Sequence, residues 1–422
     1  MLPRHSHAEA NDLPGPPVRQ AAVPCSADLS YESALGMLAA GCEPLGKESV
    51  KLAKAGRRVL AEPLVSRIDA PRFDAAAMDG FAVRAADLAN GVQVFRVVGS
   101  TYPGETHTVP MKPGQAVRIM TGGKMPVGTD RVIPWELVTP IGDSIEVRRG
   151  VPGRSHVRLR GSDLEAGAVV LQTGRVLDPN SLVVASAADV STVDVWRQPK
   201  VHVISTGDEL TASGTAAALL EKIPESLSEA LLLFARQWGG KPLGATIAPD
   251  SHREIYNAAR TACGDCDVLV MHGGASYGDR DFTKAALARL GLDIVFADVA
   301  MKPGKPAWYG RIGTIHVIGL PGNPTAAMTV ARLFLAPLIA TLGGRSFEDA
   351  LRWSELPLSA PSPPTGAREA FLCAYQQRAT VEILKSQSAS SQLMLGATNA
   401  LVRLPANAVS LDTGATVSVL RF

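Results

Sequence analysis

The sequence predicts a multidomain α/β protein: a three-layer αβα domain with a parallel-type sheet, a β-rich inserted domain and a small C-terminal β domain. Three observations predict it. From Lys200 onward, β-branched runs such as "KVHVIS" and "DVLVMHGG" alternate with amphipathic helical stretches, the pattern of a parallel sheet covered on both faces. From Gln93 to Val170, short apolar segments ("QVFRVVG", "QAVRIMTG", "DRVIPWELV", "SIEVRRG") are separated by turns every few residues, as in a small β domain or barrel. After Ser346, "REAFLCAYQQR", "TVEIL", "ALVRLP" and "ATVSVLRF" again read as strands.

Taken in order, residues 1–26 are rich in Pro, His and small residues and lack an apolar h-region, so a disordered tail is expected and not a secretory signal. Residues 27–66 and 168–198 are expected to form one discontinuous helical domain. Tyr31 to Ala40 and Val50 to Leu60 carry helical patterning, and "DPNSLVVASAADVSTVDVWRQP" reads as a helix and a strand. Residues 67–167 are the β-rich insertion, entered through Pro71 and the Asp79-Gly80 turn. Residues 199–345 form the αβα domain, and 346–422 the last β domain. Within 199–345, strand Lys200–Ser205 is followed by helix Ser226–Gly240 with its double-glycine stop. Then come "GATIAPD" (strand), "REIYNAARTAC" (helix), "DVLVMHGG" (strand), Phe282 to Leu290 (helix), "DIVFADV" and "TIHVIGLPGNP" (strands), and a long apolar helix interrupted at Pro337.

Bulk properties exclude several classes. A chain of 422 residues exceeds one ordinary core. The net charge of +2 offers no basic face for nucleic acid, and the apolar runs stop short of a membrane span. Five cysteines without pattern suggest a reducing, cytoplasmic setting. Cys263-Gly-Asp-Cys266 is a lone pair and reads as thiols of a helix end.

The chemistry concentrates where the proposed strands end. Ligands of open parallel sheets bind beyond the carboxyl ends of the strands. Three such ends run into loops with useful groups: Ser205-Thr206-Gly207-Asp208-Glu209, His272-Gly273-Gly274-Ala-Ser276-Tyr-Gly278-Asp-Arg-Asp281, and Leu320-Pro321-Gly322-Asn323-Pro324; Asp250 closes a fourth. Small-residue loops leading into helices present backbone N–H groups that favour phosphate. Glu209, Asp250 and Asp281 would set three carboxylates on one rim, which suits Mg²⁺ held against a pyrophosphate. Each carboxylate alone is equally ordinary at a helix N-terminus, where the dipole favours it; the set is what points to a site. Lys302-Pro-Gly-Lys305-Pro306 adds two positive charges on a rigid segment. Asp79 and Thr121 (in Thr121-Gly-Gly123) are common turn chemistry when taken singly.

One motif competes. Gly274-Ala-Ser276-Tyr-Gly278 matches the G-x-S-x-G nucleophile elbow, which would make the protein a serine hydrolase at Ser276. The loop runs on past the elbow, however, and the later histidine, His316, sits inside a strand. There is no P-loop, GxGxxG or HExxH.

As an ordered set, Phe73 to Ala82, Arg118 to Gly123 with Pro126 to Asp130 and Glu136, Gly161-Ser-Asp163, Ser205 to Leu210, Gly273 to Asp281, Lys302 to Pro306 and Leu320 to Pro324 resemble the molybdopterin molybdenumtransferases, the bacterial MoeA proteins and the gephyrin E domain. The resemblance runs from about Ala27 to the C-terminus. It implies four domains, with 199–345 binding molybdopterin and the discontinuous helical domain serving an elongated homodimer. It implies Mg²⁺-dependent insertion of molybdate into the dithiolene of adenylylated molybdopterin with release of AMP, and a molybdoenzyme or a pterin-adenylylating protein as partner. By residue match, Asp79, Thr121 and Asp163 come from the β-rich part. Glu209, Asp250 and Asp281 serve the cation and pyrophosphate. Lys302 and Lys305, with Arg368 and approximately Ser391, hold the molybdate oxyanion, and the glycine, proline and hydroxyl positions of the three loops, with Asp208 and Asn323, bind substrate. The chain departs from the family pattern at three places: His272 stands where a serine is usual, Asp298 where a basic residue is usual, and Glu225-Ser226-Leu227 replaces an Asp-x-Asn segment. These departures open a second expectation, a paralogue that binds or carries the pterin without efficient metal insertion.

Overall fold

A computed structural model of the protein describes residues 29–148, 153–273 and 282–422. The tail of residues 1–26, and the loop positions Gly274, Ser276, Gly278 and Asp281, lie outside the described residues. The chain divides into two compact units, Met1–Glu48 with Trp196–Phe422, and Ser49–Val195.

The first unit begins with helix α1 (Tyr31–Ala40), capped by Ser30, whose hydroxyl accepts the Ser33 N–H. Its central sheet is built from β1 (Lys200–Thr206), β2 (Lys241–Ala248), β3 (Val268–His272), β4 (Leu292–Ala297), β6 (Trp308–Ile312) and β7 (Ile315–Leu320), in the order β2-β1-β3-β7-β6-β4; β5 (Met301–Lys302) lies elsewhere. Strands β2, β1, β3 and β7 are mutually parallel. Strand β6 is reversed against both neighbours. The sheet is therefore parallel-type with one antiparallel member that the sequence reading omitted. The segment around β6 is short and glycine-broken, and it pairs as a hairpin with β7, so no helix intervenes to announce it.

Period-two alternation gives each strand two apolar faces. Val201, Val203, Val268, Val270, Ile318 and Leu320 pack with α2 (Ser228–Gln237) and the long helix α5 (Pro324–Leu342). Ile204, Leu269, Met271 and Val317 pack with α3 (His252–Cys263) and α4 (Phe282–Ala288). That is three layers, and each fully buried Leu, Val or Phe contributes about 1.5–3 kcal/mol. Helix α5 is long and apolar enough to cross a membrane, yet 89% of its apolar window is buried inside this core. It continues through Pro337 because residues Ala331–Leu335 form a π turn just upstream, where the missing proline N–H would interrupt the ladder. Arg332 leaves that turn to donate to the carbonyls of Arg421 and Ala350 and lies 4.7 Å from the Trp238 ring centre.

The last β segment forms a second sheet from β8 (Ser354–Pro357), β9 (Glu369–Gln377), β10 (Thr380–Ile383), β11 (Ala400–Leu404) and β12 (Thr416–Arg421), ordered β5-β9-β11-β12-β8 with β10 also on β9. Strand β5 joins it parallel to β9, so Lys302 belongs to this sheet although it precedes residue 346. Arg403 fastens the sheet to α1. It bonds Glu369 at 2.5 Å, pairs with Glu32, and lies over the rings of Tyr31, Trp353 and Phe371. Burial pushes the Glu369 carboxyl up. Arg403→Met is therefore expected to lower the unfolding free energy by about 3 kcal/mol, because a half-buried carboxylate loses its partner. Urea unfolding checks this, and a loss under about 0.5 kcal/mol, the level of an exposed ion pair, would show that the cluster is decorative.

The second unit holds a six-stranded sheet in the order Arg131–Pro134, Gly80–Val83, Gln115–Ile119, Val94–Thr101, Ser144–Val147, Val138–Ile141. Beside its core lies a separate cluster of Ala55, Leu60, Leu64, Leu177, Ala185, Ala188, Val193 and Val195, with helix Pro179–Ala187 capped by Asp178. The helix expected over Val50 to Leu60 is not formed. Leu52–Lys54 makes one 3₁₀ turn, and Arg57 at φ 66° reverses the chain. Its apolar spacing reflects a turn lying on this cluster.

Candidate functional site

The register of the four parallel strands aligns their ends. Thr206 lies opposite Ala248, Ser205 opposite His272, and His272 opposite Leu320. The loops that follow must all emerge on one edge, and they do. A cavity of about 680 Å³ opens there, walled by Thr206 and Glu209 from the first loop, Asp250 from the second, His272 and Gly273 from the third, and Pro321 to Pro324 from the fourth. Lys305 and Pro306 close one side; Ser390 and Gln392, at the start of helix α6 (Gln392–Ala397), close another.

Gly273 lets the loops meet. It sits at φ 86°, and a Cβ there would fall 2.3 Å from the Thr206 carbonyl oxygen. Asp208 accepts the Asp250 N–H at 3.0 Å, tying the first two loops, and Lys222 donates to the Asp208 carbonyl. The Glu209 carboxylate folds back over Gly207. Asn323 is the N-cap of α5 and Pro324 its first residue, so a helix N-terminus faces the cavity.

Beneath this rim is a buried polar cluster. His272, 4% exposed, has Nε2 2.5 Å from Ser205 Oγ and 3.0 Å from Glu225 Oε1. Ser205 also bonds Ser228 at 2.9 Å. Glu225 accepts the N–H groups of Leu227 at 2.8 Å and Ser228 at 3.0 Å, capping α2. Burial pushes the Glu225 carboxyl up, but the bonds from His272, the two amides and Ser228 outweigh it and hold it down at about 2. Two buried polar atoms of the wall, Thr206 Oγ1 and His272 Nδ1, have no hydrogen-bond partner among the described residues.

Of the expected site residues, Thr206, Glu209, Asp250, Gly273, Lys305, Pro321, Gly322, Asn323 and Pro324 line this one cavity. Ser205 lies directly behind it. Lys302 is not in its wall: it stands on the exposed edge of the second sheet opposite Ala370, and Arg368 donates to the neighbouring Met301 carbonyl at 3.1 Å. Ser391 contributes its carbonyl to Thr325 while its neighbours Ser390 and Gln392 line the cavity. Asp79, Thr121 and Asp163 belong to the second unit. There Asp79 accepts both the N–H and the hydroxyl of Thr121 at 2.7 Å, which holds its carboxyl below the ordinary range, and Asp163 sits 3.9 Å from Arg158. Asp298 is buried, 9% exposed, and is not in the cavity wall, so its reversed charge does not face a ligand there. His316 is a packed strand residue bonded to the Tyr309 hydroxyl, and burial pulls its imidazole down to about 4, which removes it as partner for a hydrolase serine.

Glu209 and Asp250 supply hard oxygen donors on one wall, the ligand type a divalent cation takes; the third expected carboxylate, Asp281, is outside the described residues. Among the described residues no three His, Cys, Asp or Glu side chains gather in metal-binding geometry. Sequence reasoning missed Gln392, whose amide donates to Ser226 at 3.2 Å across 166 positions, because no local signal marks it.

The chain is similar to known proteins over most of its length. Residues 29–188 match the family model "MoeA N-terminal region (domain I and II)", and residues 202–341 match "Probable molybdopterin binding domain". A molybdopterin molybdenumtransferase of Haemophilus influenzae is 35% identical over 303 residues, covering 72% of this chain and 74% of that protein. One from Nostoc sp. is 31% identical over 392 residues, 89% and 88%. The crystal structure of the molybdopterin biosynthesis MoeA protein of Pyrococcus horikosii superposes with a TM-score of 0.79 at 30% identity, covering 93% of this chain and 99% of that one. With full-length relatives above 30% identity and both halves matched, this chain belongs to the molybdopterin molybdenumtransferase family, a family of transferases of molybdenum cofactor biosynthesis.

Proposed function

We propose that this protein inserts molybdate into the dithiolene of adenylylated molybdopterin, with cleavage of the adenylate and release of AMP. The observation that carries the reading is the alignment of four strand ends on one cavity, which gathers Glu209, Asp250, Lys305 and the α5 N-terminus. The backbone of the loops and the α5 N-terminus would bind phosphate oxygens. Lys305 would add positive charge near them, and Lys302 with Arg368 would offer donors for the doubly charged molybdate on the adjoining sheet edge. Glu209 and Asp250 would hold Mg²⁺, which when bound neutralises pyrophosphate charge. We further propose a cytoplasmic homodimer, with Asp79, Thr121 and Asp163 acting from the second unit, and a molybdoenzyme or a pterin-adenylylating protein as transient partner.

The test is single-turnover release of AMP from adenylylated molybdopterin in the presence of molybdate and Mg²⁺. Glu209→Gln and Asp250→Asn are each expected to slow it about 100-fold, since each removes an anionic oxygen donor for the cation that would neutralise the phosphates. Wild-type rates in both variants would remove these carboxylates from the chemistry. The Glu225–His272 pair favours a second reading, a pterin carrier, because it replaces two family-typical polar positions of the wall. Tight pterin binding by the wild type without any AMP release would select it.

A further inference from the structure

A separate cavity, of about 460 Å³, shares no wall residue with the first. It opens beside Trp238, which follows the last residue of α2. That helix has 10 residues, so Trp238 stands about 15 Å along it from Ser228, which lies under the first cavity. Three arginines share the new wall: Arg332 from the π turn of α5, Arg352 just before β8, and Arg421 at the end of β12. Trp238, Leu356 and Phe422 add apolar surface, and the described wall contains no Asp or Glu.

The backbone forces these cations together. Arg332 Nε donates to the Arg421 carbonyl at 2.5 Å and Nη1 to the Ala350 carbonyl at 2.8 Å, so one guanidinium is pinned between the segments that carry the other two. Arg332 is only 3% exposed. Those two carbonyls are neutral, as is the Trp238 ring 4.7 Å away, and they leave three of its five N–H donors unused. No carboxylate among the described residues pairs with it. Arg421 bonds the neutral Gln376 amide oxygen at 2.7 Å, and Arg352 pairs with the exposed Asp349. Holding two chain segments in place explains Arg332 by itself. It does not explain two further guanidinium groups on the same wall, because a buried charge without a counter-charge is costly and like charges beside it raise the cost.

We infer that this cavity is a second binding site, for a phosphate monoester with an apolar ring, in which Arg332, Arg352 and Arg421 hold the phosphate and the ring rests against Leu356 and Phe422. Guanidinium forks match phosphate oxygens in shape and charge. A dianion supplies the counter-charge that the described wall lacks. The cavity has room for more than the phosphate, and Phe422 still exposes 36% of its surface there. A nucleoside monophosphate has both parts; free phosphate has only the first. The inference stands apart from the reading of the first cavity, with which this site shares no residue.

The experiment is titration calorimetry of the full chain with AMP and with inorganic phosphate, at fixed ionic strength and a pH of about 7.5, where both are largely dianions. The first cavity is probed separately with ADP-ribose, an adenosine pyrophosphate diester that carries no phosphate monoester. AMP is expected to bind the wild type at one site per chain even when ADP-ribose is saturating. Arg352→Gln and Arg421→Gln change two exposed side chains and leave the Arg332 pin intact; each is expected to weaken that binding about tenfold, and the double variant further. ADP-ribose should bind wild type and double variant alike. Inorganic phosphate is expected to bind roughly tenfold more weakly than AMP, because it buries no ring. No AMP binding in the presence of ADP-ribose, or AMP binding unchanged in the double variant, overturns the inference. Equal affinity for AMP and phosphate overturns the part given to the ring and leaves free phosphate as the ligand. Failure of ADP-ribose to bind overturns the reading of the first cavity alone.

Discussion

Gly273→Ala is expected to be among the most damaging single-atom-group changes in this protein, losing about 3 kcal/mol of stability and most of its ligand binding. Two causes add. At φ 86° an L-residue sits in the left-handed region, at about 1–2 kcal/mol. The new Cβ would also stand 2.3 Å from the Thr206 carbonyl oxygen, and backbone cannot swing aside as a side chain can. Relief requires the loop after β3 to lift from the loop after β1, or both strands to shift. Either movement displaces Thr206, His272 and the wall they form. Gly291→Ala separates the causes: Gly291 has φ 84° but nothing within 4 Å of its Cβ position, so it should show the backbone strain alone, about 1 kcal/mol, with binding intact. Urea unfolding and ADP-ribose titration on both variants check this. If Gly273→Ala behaves like Gly291→Ala, the loops are not in the close contact on which the shape of the cavity depends.

The parts of this architecture that were legible in the sequence are those set by local pattern. Val201, Val203 and Ser205, and Val268, Val270 and His272, alternate along strands buried on both faces, so the strand assignments and the direction of their final side chains follow from period two. Because parallel strands end on one edge, Glu209, Asp250 and Pro321 to Pro324 could be placed together from sequence. What was illegible depends on pairing at a distance. Strand β6 breaks the parallel order through a hairpin that alternation does not reveal. Val50 to Leu60 has apolar spacing compatible with a helix, but Arg57 at positive φ turns the chain instead. Lys302 leaves the αβ layer because β5 pairs with β9, an event 68 residues away in the register Met301 with Glu369. His272 and Glu225 each stood out as unusual, yet nothing local in a separation of 47 positions shows that they touch.

That contact gives the second large effect, and its sign can be worked out. Glu225 is held down at about 2 against an ordinary value of 4.5 for its carboxyl. A depressed carboxyl stabilises the fold where it is ionised in both states, above its unfolded value, and the contribution drains away as pH falls through the folded value. Wild type minus Glu225→Gln should therefore show a stability difference on the order of 3 kcal/mol at neutral pH, constant down to about pH 4.5 and shrinking steadily from there toward pH 2. The glutamine still accepts from the Leu227 and Ser228 amides, so the difference isolates the charge and not the cap. Urea unfolding at closely spaced pH values, on samples shown by circular dichroism to remain folded before denaturant, measures it. A difference that stays flat through the acid range would mean that the carboxylate is not ionised against His272 and the helix amides. A difference that grew on acidification would place the proton on Glu225 in the folded state, reverse the polarity of the pair, and leave His272 with no reason to hold its Nε2 proton toward it.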